Sequence, residues 1–370
     1  MNATPVSSLA LIGVGGAASL AARGIRRAYG GTLRALAVDT DASSGLAGDI
    51  DFTLLGGNRL SGRGSGGQAG AVRAAFLDDP DFLDAKLAGI RTAVVLTCLG
   101  GGTADGATAE LLKRLHSLGI ATLVFATLPF AFEGESRMRE AKAALGPMSA
   151  HADALAVLPL DRLVADADTD NFQASLARAS DTLASGVTLL WRILEKPGYI
   201  HLDSERLRNI INASGAVRFA AVSASGEARA ESVLDQLRRS PLLAADGASR
   251  PIRKMLVGIL AGDDLRLSEI GALARGMQRS FGPDATFELG TVNDEATFSG
   301  RLSVVVLLFE ESAIATDRTA TGASTRRRVL SASERALAGA DRFGSSEKTY
   351  WNDEDLDIPT YLRRNLTLER

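Results

Sequence analysis

Cysteine is almost missing from this 370-residue chain: Cys98 is the only one, so no intramolecular disulfide can form and a reducing cytoplasm is the expected setting. Cys98 closes an apolar run with no histidine near it in sequence, so inert packing is expected there rather than nucleophilic chemistry. Histidine is scarce too: His116, His151 and His201 are scattered, with no zinc-ligand spacing, and no metal cluster is predicted. Charge of one sign is not in excess, since 41 Lys and Arg against 44 Asp and Glu leave a formal net charge of -3 and nothing to attract nucleic acid. Residues Met1 to Ser8 carry neither a basic run nor a cleavage signal, and the apolar stretches are broken by Gly, Pro or charge well short of a membrane span. Together these absences predict a soluble cytoplasmic protein that neither binds nucleic acid nor inserts directly into a membrane.

Glycine, by contrast, is plentiful at 38 residues, and its placement carries the information. Val94-Val95-Leu96-Thr97 reads as a buried strand leading into Gly100-Gly101-Gly102-Thr103-Ala104-Asp105-Gly106, and the following Ala107 to His116 has Leu111, Leu112 and Leu115 at helical spacing. Glycines let a backbone turn tightly and present its N–H groups to an anion; at a helix N-terminus they make a phosphate site. The arrangement occurs twice, since Leu9-Ala10-Leu11-Ile12 runs into Gly13-Val14-Gly15-Gly16 and a small-residue helix start at Ala17. A flexible surface loop is the competing reading of either unit alone. Two units suggest one ligand held from two sides.

Strand candidates at Leu9–Ile12, Leu33–Val38, Ala93–Cys98, Ala121–Ala126 and Ala154–Leu158 alternate with helical patterns at Gln68–Phe76, Ala107–Leu118 and Glu135–Leu145. The alternation predicts an α/β fold with a mostly parallel, Rossmann-like sheet covered on both faces and ligand loops at the strand C-termini. Asp39, Thr40, Asp41, Gly100 to Gly106, Pro129 and Pro159 fall at those ends and are expected to share one crevice. Phe172 to Leu194 reads as a long helix with Leu176, Leu183, Val187, Leu190 and Leu194 as its apolar stripe, stopped by Lys196-Pro197-Gly198. Further strand candidates at Val217–Val222, Met255–Leu260, Thr286–Val292 and Ser303–Phe309, with helical patterns at Ala228–Leu237 and Leu267–Gln278, predict a second α/β domain. The expected division is residues 1–171 for ligand binding, 172–197 for the connecting helix, 198–310 for the second domain, 311–350 for a disordered linker and 351–370 for a docking tail.

Taken in order, these motifs resemble the FtsZ family of bacterial cell-division GTPases, relatives of tubulin. Gly13-Val14-Gly15-Gly16 looks like the start of the family's first phosphate loop, Asp39-Thr40-Asp41 like its acidic loop and Gly66-Gly67 like its third loop. Gly100 to Gly106 matches the signature GGGTGTG with Ala104 and Asp105 as departures, and Pro129-Phe130-Ala131-Phe132-Glu133-Gly134 matches PFxFEG. The resemblance runs from Leu9 to about Glu310 and resumes at the C-terminal peptide. It implies a tubulin-like fold that takes GTP or GDP with Mg2+. The nucleotide contacts it implies are Gly13, Gly15, Gly16 and Ala17 from the first loop, and Gly100, Gly101, Gly102, Thr103 and Ala104 from the signature. Glu133 and Arg137 would lie at the ribose and phosphates, and Asp181 would accept the guanine N1 and N2 hydrogens, a donor pair that adenine does not offer. Seen without the family, Asp181 is simply a polar residue on a helix.

The resemblance also implies a head-to-tail homopolymer in which a loop of one subunit completes its neighbour's site. The family pattern there is NxDxxD, and the matching stretch is His201-Leu202-Asp203-Ser204-Glu205-Arg206, with His201 in place of asparagine and Arg206 in place of the second acid. Asp203 is therefore the first catalytic candidate, with Glu205 one position before the expected acid as the second. Arginine is no base at neutral pH, although it can stabilise transferred phosphoryl charge. Glu205 reaching the water by a register shift, Asp203 working alone and slow hydrolysis remain open. Two further departures, Leu20 and Leu160, replace polar residues beside the nucleotide. Asp357, Ile358 and Pro359, followed by Tyr361, Leu362 and Arg363, resemble the peptide that docks membrane-tethering division proteins, so the expected place of action is the mid-cell ring. Two alternatives stand beside assembly-coupled GTP hydrolysis: a structural filament homologue with little turnover, and a dinucleotide-dependent oxidoreductase. The latter rests on Gly13 to Gly16, whose spacing misses GxGxxG.

Overall fold

The computed structural model describes residues 8–29, 33–45, 48–164, 172–196, 198–202, 204–212, 215–244, 250–311, 350–351 and 354–355. The chain divides into two compact units, Met1–Ala315 and Thr316–Arg370. In the smaller unit a two-residue strand β11 (Tyr350–Trp351) pairs antiparallel with β12 (Glu354–Asp355). Residues 312–349 of the expected linker and the docking-tail residues Asp357 to Arg363 fall outside the described residues, whereas Tyr350, expected at the linker's end, belongs to β11.

In the larger unit β1 (Leu9–Val14), β2 (Ala35–Asp39), β3 (Asp51–Leu54), β4 (Thr92–Cys98), β5 (Ala121–Leu128) and β6 (Ala154–Pro159) lie in the order β3-β2-β1-β4-β5-β6, all parallel. Their near-continuous apolar sequences follow from cover on both faces. Leu9 and Leu11 of β1 join one core with Ala18, Ala22 and Ile25 of α1 (Gly16–Tyr29), while the alternate residues Ala10, Ile12 and Val14 join the other. That second core is closed by α3 (Ala69–Asp78), α5 (Gly102–Ser117) and α6 (Glu135–Ser149). Short helices α2 (Gly57–Leu60), α4 (Asp84–Leu87) and α7 (Leu160–Leu163) occupy the connections. The strand and helix expectations for this half are met within a few residues. β3 was not expected: it is a four-residue edge strand, only partly buried, and Asp51-Phe52-Thr53-Leu54 has no run long enough to signal it.

The sheet does not end at β6. Ala154, Leu155 and Ala156 pair with Gly215, Ala216 and Val217 of β7 (Gly215–Ser225), and the order continues β7-β10-β8-β9 with β8 (Ile252–Ala261), β9 (Thr286–Asn293) and β10 (Arg301–Glu310). β10 is antiparallel to both β7 and β8, so the mostly parallel expectation describes the first half only. α10 (Arg229–Arg239) and α11 (Leu267–Phe281) cover this half through Val233, Leu237, Leu273 and Met277, and α12 (Glu295–Phe298) precedes β10. The long helix α8 (Phe172–Glu195) sets Leu183, Val187, Leu190 and Leu194 into one core with Leu9 of β1 and with Phe219 and Leu256 of β7 and β8. The side chain of Leu176 lies outside the described residues. After α8 the chain reaches α9 (Ser204–Ile211).

Candidate functional site

A cavity of about 620 Å³ opens at the C-terminal ends of β1, β4 and β5. Gly15, Gly16 and Ala17 wall it from one strand–helix junction, Gly100 to Ala104 from another, and Thr127, Pro129, Glu133 and Arg137 from the third. Both glycine units therefore face one ligand space, as their repetition predicts. Ser65 and Gly67 add the loop before α3. The junctions are tied to one another: Gly15 N–H donates to the Val38 carbonyl at 2.8 Å, and the buried Thr40 and Thr103 hydroxyls meet at 2.7 Å. Asp39 is buried beside Gly16 and accepts from Thr40 N–H at 2.8 Å and from the Ser44 hydroxyl at 2.6 Å.

α5 begins at Gly102, five residues earlier than Ala107. Gly102 to Ala104 thus supply the unpaired N–H groups of a helix N-terminus, where the macrodipole favours an anion. Gly100 turns the chain into it at φ 88°, and a Cβ there would come within 2.6 Å of Pro129 Cγ. Gly106 is already inside the helix. Its bare Cα lets α3 approach, because a Cβ would stand 2.3 Å from the Ala69 carbonyl oxygen. This glycine packs two helices and is not part of the phosphate cradle.

Polar groups hold the turn from below and beside. Asp105 Oδ1 accepts the Gly100 N–H at 2.9 Å, Arg137 Nε donates to the Gly100 carbonyl at 2.8 Å, and Arg137 Nη1 pairs with Glu133 at 2.7 Å. Glu133 also accepts the Phe130 N–H at 2.9 Å. Burial pushes the Asp105 carboxyl above its ordinary value, opposed by the Gly100 N–H, raised further by Glu140 and lowered by Arg137. The remaining wall is apolar: Ala21, Leu160, Leu163 and Leu183 line it, so Leu160 does stand where the resemblance led us to expect a polar side chain. Leu20, in contrast, points away and is 68% exposed. Cys98 lines the cavity floor, and burial holds its thiol above the ordinary value, which keeps it protonated and inert.

Two expected nucleotide residues stand apart from this lining. Gly13 lies within β1, where a Cβ would meet the Ala18 carbonyl at 2.7 Å, so it serves the β1–α1 junction. Asp181 is exposed and lines a neighbouring hollow of about 910 Å³ with Thr182, Ser185 and Arg192, while Leu183 two residues on faces the first cavity. Thr127 and Leu183 were missed from sequence. Thr127 had a signal in its place near the end of β5, and Leu183 had none, because its stripe looks like core.

The acidic candidates are elsewhere. Asp203 lies outside the described residues, and Glu205, on the first turn of α9, pairs with Arg91 at 3.3 Å and Arg208 at 3.7 Å. Arg91 immediately precedes β4 and Gly100 closely follows it, so the seven-residue strand separates Glu205 from the phosphate loop by roughly 20 Å. Arg206, about 100° further round the helix, pairs with Glu288 of β9 at 3.5 Å. His201 is exposed, next to Ile200, whose N–H and carbonyl both bond Thr291. No group of three or more His, Cys, Asp or Glu able to hold a metal occurs among the described residues, and none of their helices is long and apolar enough to cross a membrane.

Residues 26–168 match the tubulin/FtsZ family, GTPase domain. The chain is similar to the cell division protein FtsZ of Pseudomonas aeruginosa, 29% identical over 371 residues covering 98% of this chain and 90% of that protein. Its fold is that of an empty FtsZ dimer from M. jannaschii (TM-score 0.75, 23% identity, 81% of this chain and 87% of that one). A GTPgS-bound protofilament of CetZ2 from Haloferax volcanii shares it as well (TM-score 0.68, 23% identity, 83% and 95%).

Proposed function

Because this chain carries a tubulin/FtsZ-family GTPase domain, we propose that it binds GTP and assembles head to tail into filaments that hydrolyse GTP during bacterial cytokinesis. The observation that carries the reading is the separation of Glu205 from the phosphate loop by the length of β4. One molecule cannot close that distance; a second copy stacked end to end can. Such a contact is heterologous and does not close, so it generates an open filament. Hydrolysis then depends on assembly, since each pocket receives its acid from the next subunit.

The cradle of N–H groups at Gly16 and Ala17 and from Gly101 to Ala104 fits a polyphosphate, with Gly15 and Gly100 shaping the two turns, and Glu133 and Arg137 flank it. Asp181, on the rim beside Leu183, is proposed to accept the guanine hydrogens. With no carboxylate cluster among the described residues, Mg2+ would be held chiefly by phosphate oxygens and water, where it neutralises charge on the transferred phosphoryl group. We further propose the division into residues 1–171, 172–197 and 198–310, and docking of membrane-tethering proteins by Asp357 to Arg363, with action in the cytoplasm at the division ring. Deleting residues 357–364 is expected to leave sedimentable filaments and abolish tether binding; tether binding that survives the deletion refutes the docking assignment.

A second reading, filaments with little turnover, is favoured by one observation: Glu205 and Arg206 are both paired within their own subunit, to Arg91, Arg208 and Glu288. Phosphate release measured together with GTP-dependent sedimentation separates the two. Release that rises with assembly and falls on Asp203→Ala or Glu205→Ala supports the enzyme; filaments with negligible release support the structural homologue. Absence of GTP binding overturns both.

A further inference from the structure

We propose that Asp105 is a positioning residue of the phosphate loop: its carboxylate pins the Gly100 turn and takes up a proton when a nucleotide polyphosphate docks. The inference rests on the reading of the cavity above as the nucleotide site. Asp105 stands on the first turn of α5, beneath the same N–H groups that are to receive the phosphates, and is not itself part of the cavity lining. Its bond to Gly100 N–H fixes one side of the turn, and Arg137 fixes the other through the Gly100 carbonyl. Gly100 is thereby held by a carboxylate and a guanidinium on its two peptide faces, in a conformation with φ of 88°.

This arrangement places a negative group where a polyanion must come. The charged groups acting on Asp105 are Glu140 and Arg137, both from α6; Arg73 of α3 is paired further along α5 with Glu110 at 2.7 Å. Arg137 is thus the cation that favours the ionised carboxylate, and it is also the cation bordering the cavity. When a polyphosphate draws Arg137 toward itself, Asp105 loses that compensation and gains a new repulsion at once. Partial burial has already weakened its hold on charge. The carboxylate then gains a proton from solvent. One oxygen carries the new hydrogen, and the other continues to accept the Gly100 N–H, so the turn is kept while the charge is removed. Because the bound state holds more protons, affinity rises as pH falls from the titration of the bound carboxyl toward that of the free one, and levels off below it.

The test is calorimetric titration of the full chain with GDP and with GTP at pH 6 in two buffers of different ionisation enthalpy. The wild type is expected to take up measurably more protons per site than Asp105→Asn, since the nucleotide's own protonation is common to both. Asp105→Asn retains an acceptor oxygen and binds at least as tightly as the wild type. Asp105→Ala loses the acceptor and binds about tenfold more weakly. Should the alanine variant fail to fold, the asparagine variant alone decides proton uptake. Equal proton uptake in wild type and Asp105→Asn, or equal affinity in wild type and a folded Asp105→Ala, overturns the proposal. No nucleotide binding by the wild type overturns the cavity reading first and this proposal with it; binding without a proton difference overturns this proposal alone.

Discussion

A methyl group added at Gly100 has no room. It would meet Pro129 Cγ at 2.6 Å and would force an L side chain into the left-handed region. Gly100→Ala is expected to lower stability by about 2 kcal/mol in urea denaturation, and to weaken GTP binding at least tenfold by displacing the first N–H groups of the cradle. A variant with wild-type affinity would show that the turn does not shape the site. At this scale the sequence was informative about which residues gather and poor at which of them touch. A glycine run after an apolar strand announces an anion cradle, because backbone N–H groups act without side-chain identity. That Gly106 packs against Ala69 instead depends on a helix met more than thirty residues earlier, and no local pattern encodes it. Asp181 shows the same limit: its helix was legible, whereas its aim toward a neighbouring hollow depends on how α1 and β7 approach α8.

The elements were the most legible level, since buried parallel strands and amphipathic helices leave strong periodic traces. β3, α9 and the one-turn helices α2, α4, α7 and α12 were not, β3 being a short edge strand, α9 a two-turn helix inside a stretch that reads as a loop, and four residues being too few to show a helical period. The far end of α8 depends on a long-range contact of the same kind. Asp294, just before α12, receives Arg192 at 3.0 Å and Lys196 at 2.6 Å, while Arg192 also faces the rings of Tyr29 and Phe298. The Lys196 hydrogen bond is the largest cause holding the Asp294 carboxyl below its ordinary value, with Thr297 and Arg192 adding to it against burial. A lowered carboxylate pKa stabilises the fold above the unfolded-state value, and the benefit is lost as pH falls through the folded one. Asp294→Asn is therefore expected to cost about 1–3 kcal/mol at pH 7. The gap between variant and wild type should close under acid conditions when unfolding midpoints are measured against pH. A gap that stays constant into acid would remove the ion pairs from the explanation.

For the whole molecule, the separation of pocket and acid makes a prediction that no single-subunit enzyme shares. Glu205→Ala is expected to reduce assembly-coupled phosphate release while leaving GTP affinity unchanged, because the side chain lies a strand length from the loop. Mixing Glu205→Ala subunits with Gly100→Ala subunits should restore part of the release that each lacks alone, since an intact pocket then meets an intact far end. Mixed filaments with no recovery would place both functions in one subunit. The head-to-tail idea came from family resemblance, and from no periodicity in the chain; what the fold adds is the strand-length distance between Glu205 and the glycine loop.

The position of β10 bears on how such a molecule is made. It is the last strand of the larger unit along the chain, yet it lies between β7 and β8, antiparallel to both. On a ribosome, β7 and β8 must therefore wait without their shared neighbour until residues 301–310 have left the exit tunnel, whereas the strands around the phosphate loops are all synthesised by Pro159. Translation delivers the glycine loops long before it delivers the strand that completes the second half of the sheet, so on the function proposed above a nascent chain would meet nucleotide before its far half is built.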